Sequence, residues 1–372
     1  MPFFIPLYFD MVRIYENIEL AARNSFGVPA RAKRLVEFDQ AEDLMQIFAD
    51  EQMTNEEWVV LAGGNNTLFT RDFEGTLICP QNCGIEIVAT EGNTVHVRIG
   101  AGVEWDDAVA WSVEQGLWGI ENLSLIPGKA GAAPVQNIGA YGTEVKDVIE
   151  QVEMFCPATR NTLILTNEYC EFGYRDSIFK RSLRGRVIIT SIVIRLSRTP
   201  NPRLRYGDVQ QRVDELGGPT LANIREAIVA IRSHKLPDTK VTGNAGSFFK
   251  NPVVERELAE RLLAEYPDMP LYPAAEEGKA KLAAGWLIDR AGWKGKSDGR
   301  VGVHARQALV LINLGGATGA EVMATAQRIV GDVKDPSESV SGDLRHDQEQ
   351  HKWQVHRRPM SGTCNRILLP VH

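Results

Sequence analysis

Short runs of β-branched residues, separated by Gly, Asn and Pro, dominate the first half of the chain and predict β-strands. The runs that carry this pattern are EWVVLAG, GIEIV, TVHVRIG, QVEMF, NTLIL and RVIITSIVIRL. Helical spacing occurs between them over residues 105–114, where Val109, Ala110 and Val113 predict an apolar face. Strands mixed with helices in this way indicate an α+β protein.

The second half of the chain is richer in helical periodicity. Helices are predicted over residues 221–233, 254–265, 284–291 and 319–333, with a buried strand over 307–313. The segment KLPDTK follows the first of these helices, and a linker that contains Pro indicates a domain boundary near residue 220. A chain of 372 residues has the length of two or three domains.

Three loops rich in small residues precede this boundary. The longest runs from Gly119 to Gly142, and the others are LAGGNNTLF and IGAGVEWDD. Glycine permits φ > 0 and has no Cβ atom to block a close approach, so successive backbone N–H groups can converge on a phosphate. One such loop is compatible with an ordinary turn, whereas three together predict a nucleotide site. The GxGxxG fingerprint is absent because Trp105 stands where its third glycine belongs, so the usual Rossmann site is not expected.

Composition and charge exclude several other classes of protein. The formal charge of −7 and the lack of a basic stripe argue against nucleic acid as a partner. The five cysteines are scattered without zinc-ligand spacing, so no metal site is predicted and a reducing, cytoplasmic location fits best. Asp10 interrupts an apolar start that lacks the basic residues of a signal peptide. No run approaches the roughly 20 apolar residues of a membrane span, so no membrane partner is expected.

Six unusual segments carry a resemblance to a known family. They are GGNNTLF, IPGKAGAAPVQNIGAYG, FGYRDSIFK, KLPDTKVTGNAGSFFKNP, KLAAGWLID and HARQALVLIN, in one order from about Asn17 to about Val333. In these segments the chain resembles the UDP-N-acetylenolpyruvoylglucosamine reductase family. That family consists of flavoenzymes that complete UDP-N-acetylmuramate for bacterial cell-wall synthesis.

The resemblance implies a fold and a division into domains. Two FAD-binding subdomains of the vanillyl-alcohol-oxidase type are expected, together with a C-terminal α+β domain that binds the substrate. The expected boundaries are 1–15 for an N-terminal extension, 16–85 and 86–220 for the two subdomains, 221–333 for the substrate domain and 334–372 for an atypical tail.

The resemblance implies noncovalent FAD, and no histidine stands at the loops where a flavin tether would be expected. The implied cofactor-binding residues are Gly63, Gly64, Asn65, Asn66, Thr67, Gly128, Gly131, Ala132, Gln136, Asn137, Gly139 and Tyr141. The resemblance also implies NADPH as the hydride donor. One cleft would then serve NADPH and the substrate in turn, which accounts for the missing dinucleotide fingerprint.

The implied reaction places negative charge on a substrate carboxylate, because hydride adds to a double bond conjugated to it. The resemblance assigns Arg175 to that carboxylate, and its planar fork of donors suits the task. An ordinary surface ion pair with Asp176 is the alternative. Ser247 is the implied proton donor, with Lys235 and Lys250 close enough in sequence to assist it. The default interpretation of a serine after glycine is a helix N-cap, and Ser247 could play both parts.

The implied substrate is UDP-N-acetylglucosamine enolpyruvate. The residues implied to contact it are Tyr206, Lys235, Asn251, Tyr272, Lys281 and Gln307. Tyr206 resembles the mobile tyrosine of the longer subclass of the family, and a plain aromatic residue at a strand edge is its alternative interpretation.

The tail is where the chain departs from the family. The family continues with a Leu-Glu-Pro-Glu-Val-Arg type motif, whose second glutamate acts at the enolate, and residues 334–372 contain no such motif. This polar segment is expected to be disordered, and a shifted reading frame after about Lys334 would give the same composition. Two other functions therefore stay open. One is a flavin oxidase of the same fold, and the other is a protein that binds FAD and a nucleotide sugar but is impaired in catalysis.

Overall fold

A computed structural model describes residues 12–50, 53, 55–274 and 276–334, and the backbone of Leu368–Pro370. The strands of the described residues are β1 (Val12–Glu19), β2 (Arg31–Phe38), β3 (Trp58–Val60), β4 (Thr67–Phe69), β5 (Phe73–Pro80), β6 (Ile85–Glu91), β7 (Thr94–Gly100), β8 (Gly139–Ala140), β9 (Thr143–Glu144), β10 (Ile149–Cys156), β11 (Asn161–Thr166), β12 (Ile188–Ser197), β13 (Gly243–Ser247), β14 (Val253–Glu255), β15 (Leu271–Pro273), β16 (Lys279–Leu282), β17 (Ser297–Asp298), β18 (Val301–Val303), β19 (Val310–Asn313) and β20 (Leu368–Pro370). The α-helices are Asp43–Ile47, Trp105–Glu114, Val209–Glu215, Leu221–Lys235, Arg256–Glu265, Ala284–Arg290 and Gly319–Lys334.

The described residues fall into two compact units. The first unit combines the residues up to 19 with 31–65 and 73–234, and the second combines 20–30, 66–72 and the residues from 235 onward. Each unit mixes helices with sheets, which confirms the predicted α+β class. The boundary predicted near residue 220 lies before the helix that ends the first unit.

A four-stranded sheet of order β1-β2-β5-β3 belongs to the first unit. Strand β1 pairs antiparallel with β2, whereas β5 is parallel to both β2 and β3. Val36, Phe38, Phe48 and Ile78 are buried in the core beside this sheet. Strand β1 includes residues 12–15, which the sequence boundaries assign to an extension, and the rest of that extension lies outside the described residues.

The second sheet of this unit has the order β11-β10-β12-β7-β6 and is antiparallel throughout. The helix Trp105–Glu114 has the predicted bounds, but its buried face is Trp105, Ala108, Val109 and Ser112. Of the three residues predicted to form that face, Val109 is buried and the other two are only half-buried. The face is rotated because the large side chain of Trp105 is buried with Ala108 and Val109 in one core cluster.

The second unit contains sheets of order β13-β19-β18-β17 and β14-β16-β15. The segment predicted as one helix over 254–265 begins instead as β14, and the helix follows at Arg256–Glu265. The strand predicted over 307–313 is confined to β19, because residues 304–310 form a hydrogen-bonded turn. In the tail, β20 pairs antiparallel with β4. The remainder of the predicted disordered tail lies outside the described residues.

Candidate active site

The glycine-rich loop LAGGNNTLF and the loop of residues 119–142 approach each other closely at Gly63 and Gly128. A Cβ placed on Gly63 would lie 3.5 Å from the Cα of Gly128 and 2.2 Å from Oδ1 of Asn65. Gly64 and Gly128 have φ values of 65° and 117°, which favour glycine. The residues fit a cofactor that is bound by backbone at close range, because a side chain at Gly63 would displace the Asn65 side chain and contact Gly128. Asn66 and Thr67 belong to the second unit, where Thr67 begins β4.

The loop IGAGVEWDD supports the loop of residues 119–142, because its carbonyls accept hydrogen bonds from that loop. The N–H groups of Ala130 and Gly131 donate to the carbonyls of Val103 and Ala101, at 2.8 Å and 3.1 Å. A Cβ on Gly131 would lie 2.6 Å from the Cβ of Ala101, so this glycine is required by packing between the two loops. Ala132 completes the same short 3-10 turn and is half-buried.

The side chain of Asn137, one of the implied cofactor-binding residues, is hydrogen-bonded to the protein itself. Its Nδ2 donates to Glu144 Oε2 at 3.1 Å and to the Gly173 carbonyl at 2.9 Å, while its Oδ1 accepts from the Lys146 N–H at 3.1 Å. The residue is fully buried. Asn137 therefore uses its side chain to shape the loop. Its backbone is hydrogen-bonded as well, since its N–H donates to the Pro134 carbonyl at 3.3 Å and its carbonyl accepts from Arg175. Gln136 beside it is half-buried.

Arg175 is bound to the glycine-rich loop. Its guanidinium donates to the carbonyls of Asn137 at 3.1 Å and Gly139 at 2.5 Å. Gly139 is needed for this contact, since a Cβ there would lie 2.8 Å from Nη1 of Arg175. The alternative ion pair with Asp176 is wrong, because Asp176 pairs with Arg181. Two N–H groups of the Arg175 guanidinium thus donate to carbonyls, and its remaining N–H groups can donate to an anion.

Tyr141 and Tyr206 contact each other edge to face, with ring centroids 5.9 Å apart. Tyr206 is 59% exposed and lies in a bend before the helix Val209–Glu215. The alternative interpretation as a strand-edge aromatic residue is therefore wrong, since β12 ends at Ser197.

Arg232 is a residue of this site that sequence reasoning missed. Its side chain is hydrogen-bonded to Tyr141, and burial together with the nearby positive charge of Arg175 lowers its pKa. Burial raises the pKa of Tyr141 despite the charge of Arg232. The only sequence signal was the position of this arginine one helical turn before Lys235.

Ser247 ends strand β13, opposite Val310, so the helix N-cap interpretation is wrong. The pairing is irregular between Asn244 and Ser247, where Gly246 has a φ of 70° and donates to Asn244 Oδ1 at 3.0 Å. This bulge directly precedes the half-buried Ser247, where the pairing with Val310 resumes. Within the described part of the chain, the Ser247 hydroxyl has no hydrogen-bond partner, so it is available to a ligand.

Four of the expected substrate-binding residues lie close together in the second unit. Tyr272 on β15 is the direct cross-strand neighbour of Lys281 on β16. Asn251 Oδ1 accepts from the Ala284 N–H at 3.1 Å, at the start of the helix Ala284–Arg290. Gln307 lies beside the same turn, since its Oε1 would be 3.6 Å from a Cβ on Gly285. Lys235 is exposed at the end of the helix Leu221–Lys235.

The described residues contain no group of three or more His, Cys, Asp or Glu side chains placed to hold a metal ion. A search of the same part of the chain finds no helix with the length and apolar character needed to cross a membrane.

Two family models match the chain. One, for the C-terminal domain of UDP-N-acetylenolpyruvoylglucosamine reductase, covers residues 237–339, and one for an FAD-binding domain covers residues 32–160. Relatives named UDP-N-acetylenolpyruvoylglucosamine reductase from Burkholderia cenocepacia and Pseudomonas aeruginosa are each 46% identical. The alignment with the Burkholderia protein covers 85% of this chain and 91% of that relative. The alignment with the Pseudomonas protein covers 87% of this chain and 95% of that relative.

A solved structure shares the fold. The reductase of the same name from Thermus caldophilus matches with a TM-score of 0.61 over 86% of this chain and 94% of that one, at 22% identity. This likeness and the FAD-binding domain model agree with the FAD-binding fold expected from the sequence.

Proposed function

Because the chain belongs to the UDP-N-acetylenolpyruvoylglucosamine reductase family, we propose that it reduces UDP-N-acetylglucosamine enolpyruvate to UDP-N-acetylmuramate with NADPH. The reaction belongs to bacterial peptidoglycan precursor synthesis, and we place it in the cytoplasm. The observation that carries the proposal is Arg175, whose guanidinium is fastened to the carbonyls of Asn137 and Gly139 in the FAD-binding domain.

The proposed role of Arg175 follows from charge. The FAD-binding domain would hold FAD, which would supply the hydride for the terminal carbon of the enolpyruvyl double bond. Negative charge then develops on the conjugated carboxylate, and a fixed guanidinium lowers the energy of that state without having to reorganise. Arg175 is fixed in this sense because two loop carbonyls hold it.

The proposed role of Ser247 is to give a proton to the adjacent carbon. A serine hydroxyl is a weak acid, so this step needs a neighbouring cation or a hydrogen-bond relay. The half-buried Ser247 supports the assignment, because its hydroxyl has no hydrogen-bond partner among the described residues. One hydride and one proton complete the reduction of the double bond.

The nucleotide sugar would be bound by Tyr206, Lys235, Asn251, Tyr272, Lys281 and Gln307. Lys281 and Lys235 bring positive charge suited to the diphosphate, and Tyr272 adds an exposed ring with a hydroxyl group next to Lys281. Tyr206 is exposed and held by one aromatic contact, as a residue that closes over a ligand would be. NADPH would use the same cleft before the substrate enters, since no separate dinucleotide fingerprint is present.

A steady-state assay under anaerobic conditions tests this function. NADPH consumption should require UDP-N-acetylglucosamine enolpyruvate, and mass spectrometry should identify UDP-N-acetylmuramate as the product. UDP-N-acetylglucosamine, which lacks the enolpyruvyl group, is the matched control. In a parallel assay with oxygen, NADPH consumption that does not depend on the enolpyruvyl substrate would support the flavin oxidase instead.

A second candidate function rests on the tail. The glutamate motif of the family is absent from residues 334–372, so the chain could bind FAD and the nucleotide sugar while reducing the enolpyruvate slowly. Neither Glu338 nor Glu349 has the neighbours of that motif. Tight ligand binding without product formation would favour this candidate.

A further inference from the structure

Leu125 has an unusual backbone conformation in the loop that the FAD-binding domain model covers. Its φ is 58°, in the left-handed region, and its side chain is 37% exposed. Such a conformation is costly for a residue with a bulky side chain and persists only where the surroundings enforce it. The next three residues, Ile126 to Gly128, lead to the point of closest approach to Gly63.

Two charged side chains hold both backbone polar groups of Leu125. Its N–H donates to Asp106 Oδ1 at 2.5 Å, and its carbonyl accepts from Arg232 Nε at 3.3 Å. Hydrogen bonds to ionised groups are stronger than those between neutral groups. The left-handed conformation is therefore fixed from both sides of one residue.

Arg225 fixes Asp106 in turn. Its Nη1 and Nη2 donate to the two carboxylate oxygens at 2.7 Å and 2.9 Å, in a bidentate pair. Burial would raise the pKa of Asp106, but Arg225 and the Leu125 N–H outweigh burial and lower it. Asp106 therefore stays ionised at neutral pH.

The same first turn of the helix Trp105–Glu114 holds the loop on both sides of Leu125. The Trp105 indole N–H donates to the Leu123 carbonyl at 3.1 Å, and the Trp105 backbone N–H donates to the Gly128 carbonyl at 2.8 Å. Asp107, in the same turn, is exposed and has no hydrogen bond to the loop among the described residues. The contact to Leu125 is thus specific to Asp106 and is not a general property of the helix end.

We propose that Asp106, Arg225 and Arg232 are positioning residues that hold Leu125 in its left-handed conformation and so shape residues 125–128 for binding FAD. None of the three needs to touch the cofactor in this role. The inference rests on FAD binding by this domain and does not require the reductase activity.

A double-mutant cycle on FAD affinity tests the proposal. The full-length protein is stripped of FAD, and the Kd is measured by flavin fluorescence for Asp106→Ala, Leu125→Gly and the double variant. Asp106→Ala should raise the Kd about 10-fold to 100-fold, the range for a lost hydrogen bond to a charged group. Glycine adopts φ > 0 without the steric cost, so in the Leu125→Gly background the same change should raise the Kd less than about threefold.

Asp107→Ala is the matched control, since it removes the same charge from the same helical turn. It should leave the Kd within about twofold of the parent. Asp106→Asn, which keeps an acceptor oxygen but loses the bidentate ion pair, provides an intermediate case if Asp106→Ala does not fold. An equal loss of FAD affinity in both Leu125 backgrounds, or a Kd unchanged by either substitution at Asp106, would overturn the proposal.

Discussion

Tyr272 and Lys281 face each other directly across the antiparallel pair of β15 and β16. Directly opposed residues of such a pair point to the same side of the sheet, with Cβ atoms about 5 Å apart. Lys281 is also opposite Val253, just after Asn251. The three-stranded sheet therefore gathers an aromatic hydroxyl, a cation and an amide from three separate sequence segments.

Lys281→Gln should weaken the binding of UDP-N-acetylglucosamine about 10-fold or more, because a charge-assisted hydrogen bond to the diphosphate is lost. Isothermal titration calorimetry measures this directly. Lys279→Gln is the control, since Lys279 lies on the same face of β16 but pairs with Glu276 at 2.7 Å. Equal weakening by both substitutions would show that only the general positive charge of the strand matters.

Ser247→Ala should separate the two half-reactions. NADPH should reduce the flavin at a near-normal rate, because that step needs no proton from the serine. Reoxidation by the enolpyruvyl substrate should slow by about 10²- to 10⁴-fold, the usual contribution of general acid catalysis. Stopped-flow absorption measures both rates. Equal slowing of both half-reactions would make Ser247 a residue that only positions its ligand.

Arg175→Lys should slow the same reoxidation step. A lysine keeps the charge but cannot bridge the two loop carbonyls and still present a fork of donors to a carboxylate. Arg181→Lys is the control, because Arg181 forms ion pairs with Asp176 and Glu171 instead of the loop. A normal reoxidation rate for Arg175→Lys, measured by stopped flow, would remove Arg175 from the proposed chemistry.

Glu321 should make the stability of the second unit depend on pH. Its carboxylate accepts from the Thr318 N–H and hydroxyl at 2.7 Å and 2.8 Å and pairs with Arg300, which lowers its pKa from 4.5 to about 2. A lowered pKa in the folded state means stability that is present above pH 4.5 and is lost as the pH falls toward about 2.

Glu321→Gln should therefore lower the free energy of unfolding at neutral pH. Between pH 4.5 and about 2, the free energy of unfolding should fall less steeply in this variant than in the parent. Urea unfolding at a series of pH values measures the effect. Glu260→Gln, at an exposed position without a described hydrogen bond, is the control. Parallel pH profiles for Glu321→Gln and the parent would contradict the prediction.

The sequence pattern was sufficient to predict an element where the local signals of that segment all favour the same secondary structure. The helix Trp105–Glu114 has the predicted bounds and Gly116 follows its end, although its period misplaced part of the buried face. It was not sufficient at β14, because Val253–Glu255 is extended only through pairing with β16, which lies more than twenty positions later. Pairing of that kind leaves no periodic signal in a three-residue strand.

The residues of the candidate site could likewise be predicted from the sequence only in part. The resemblance of the motifs to the family was enough to select Arg175 and Ser247 as candidates. It did not show that the Asn137 side chain is hydrogen-bonded to Glu144 and to the Lys146 backbone. Arg232 was missed for a related reason. Its partners Tyr141 and Leu125 are distant in sequence, and an arginine on an amphipathic helix usually faces solvent.

The tail gives a further prediction. Grafting a strand with the glutamate motif of the family after Val333 should accelerate reoxidation of the reduced flavin by the enolpyruvyl substrate about 10²- to 10⁴-fold. The same graft with glutamine in place of the second glutamate is the control. Full activity of the native chain, unchanged by truncation after Val333, would refute this account of the tail.

The central claim, an NADPH-dependent enolpyruvyl reductase, is tested most directly by the flavin spectrum of the native chain under anaerobic conditions. NADPH should bleach the visible absorption of the bound flavin, and UDP-N-acetylglucosamine enolpyruvate should then restore it, slowly in the native chain and faster in the grafted one. UDP-N-acetylglucosamine should restore nothing. A flavin that NADPH does not reduce, or that only oxygen reoxidises in both chains, would contradict the claim.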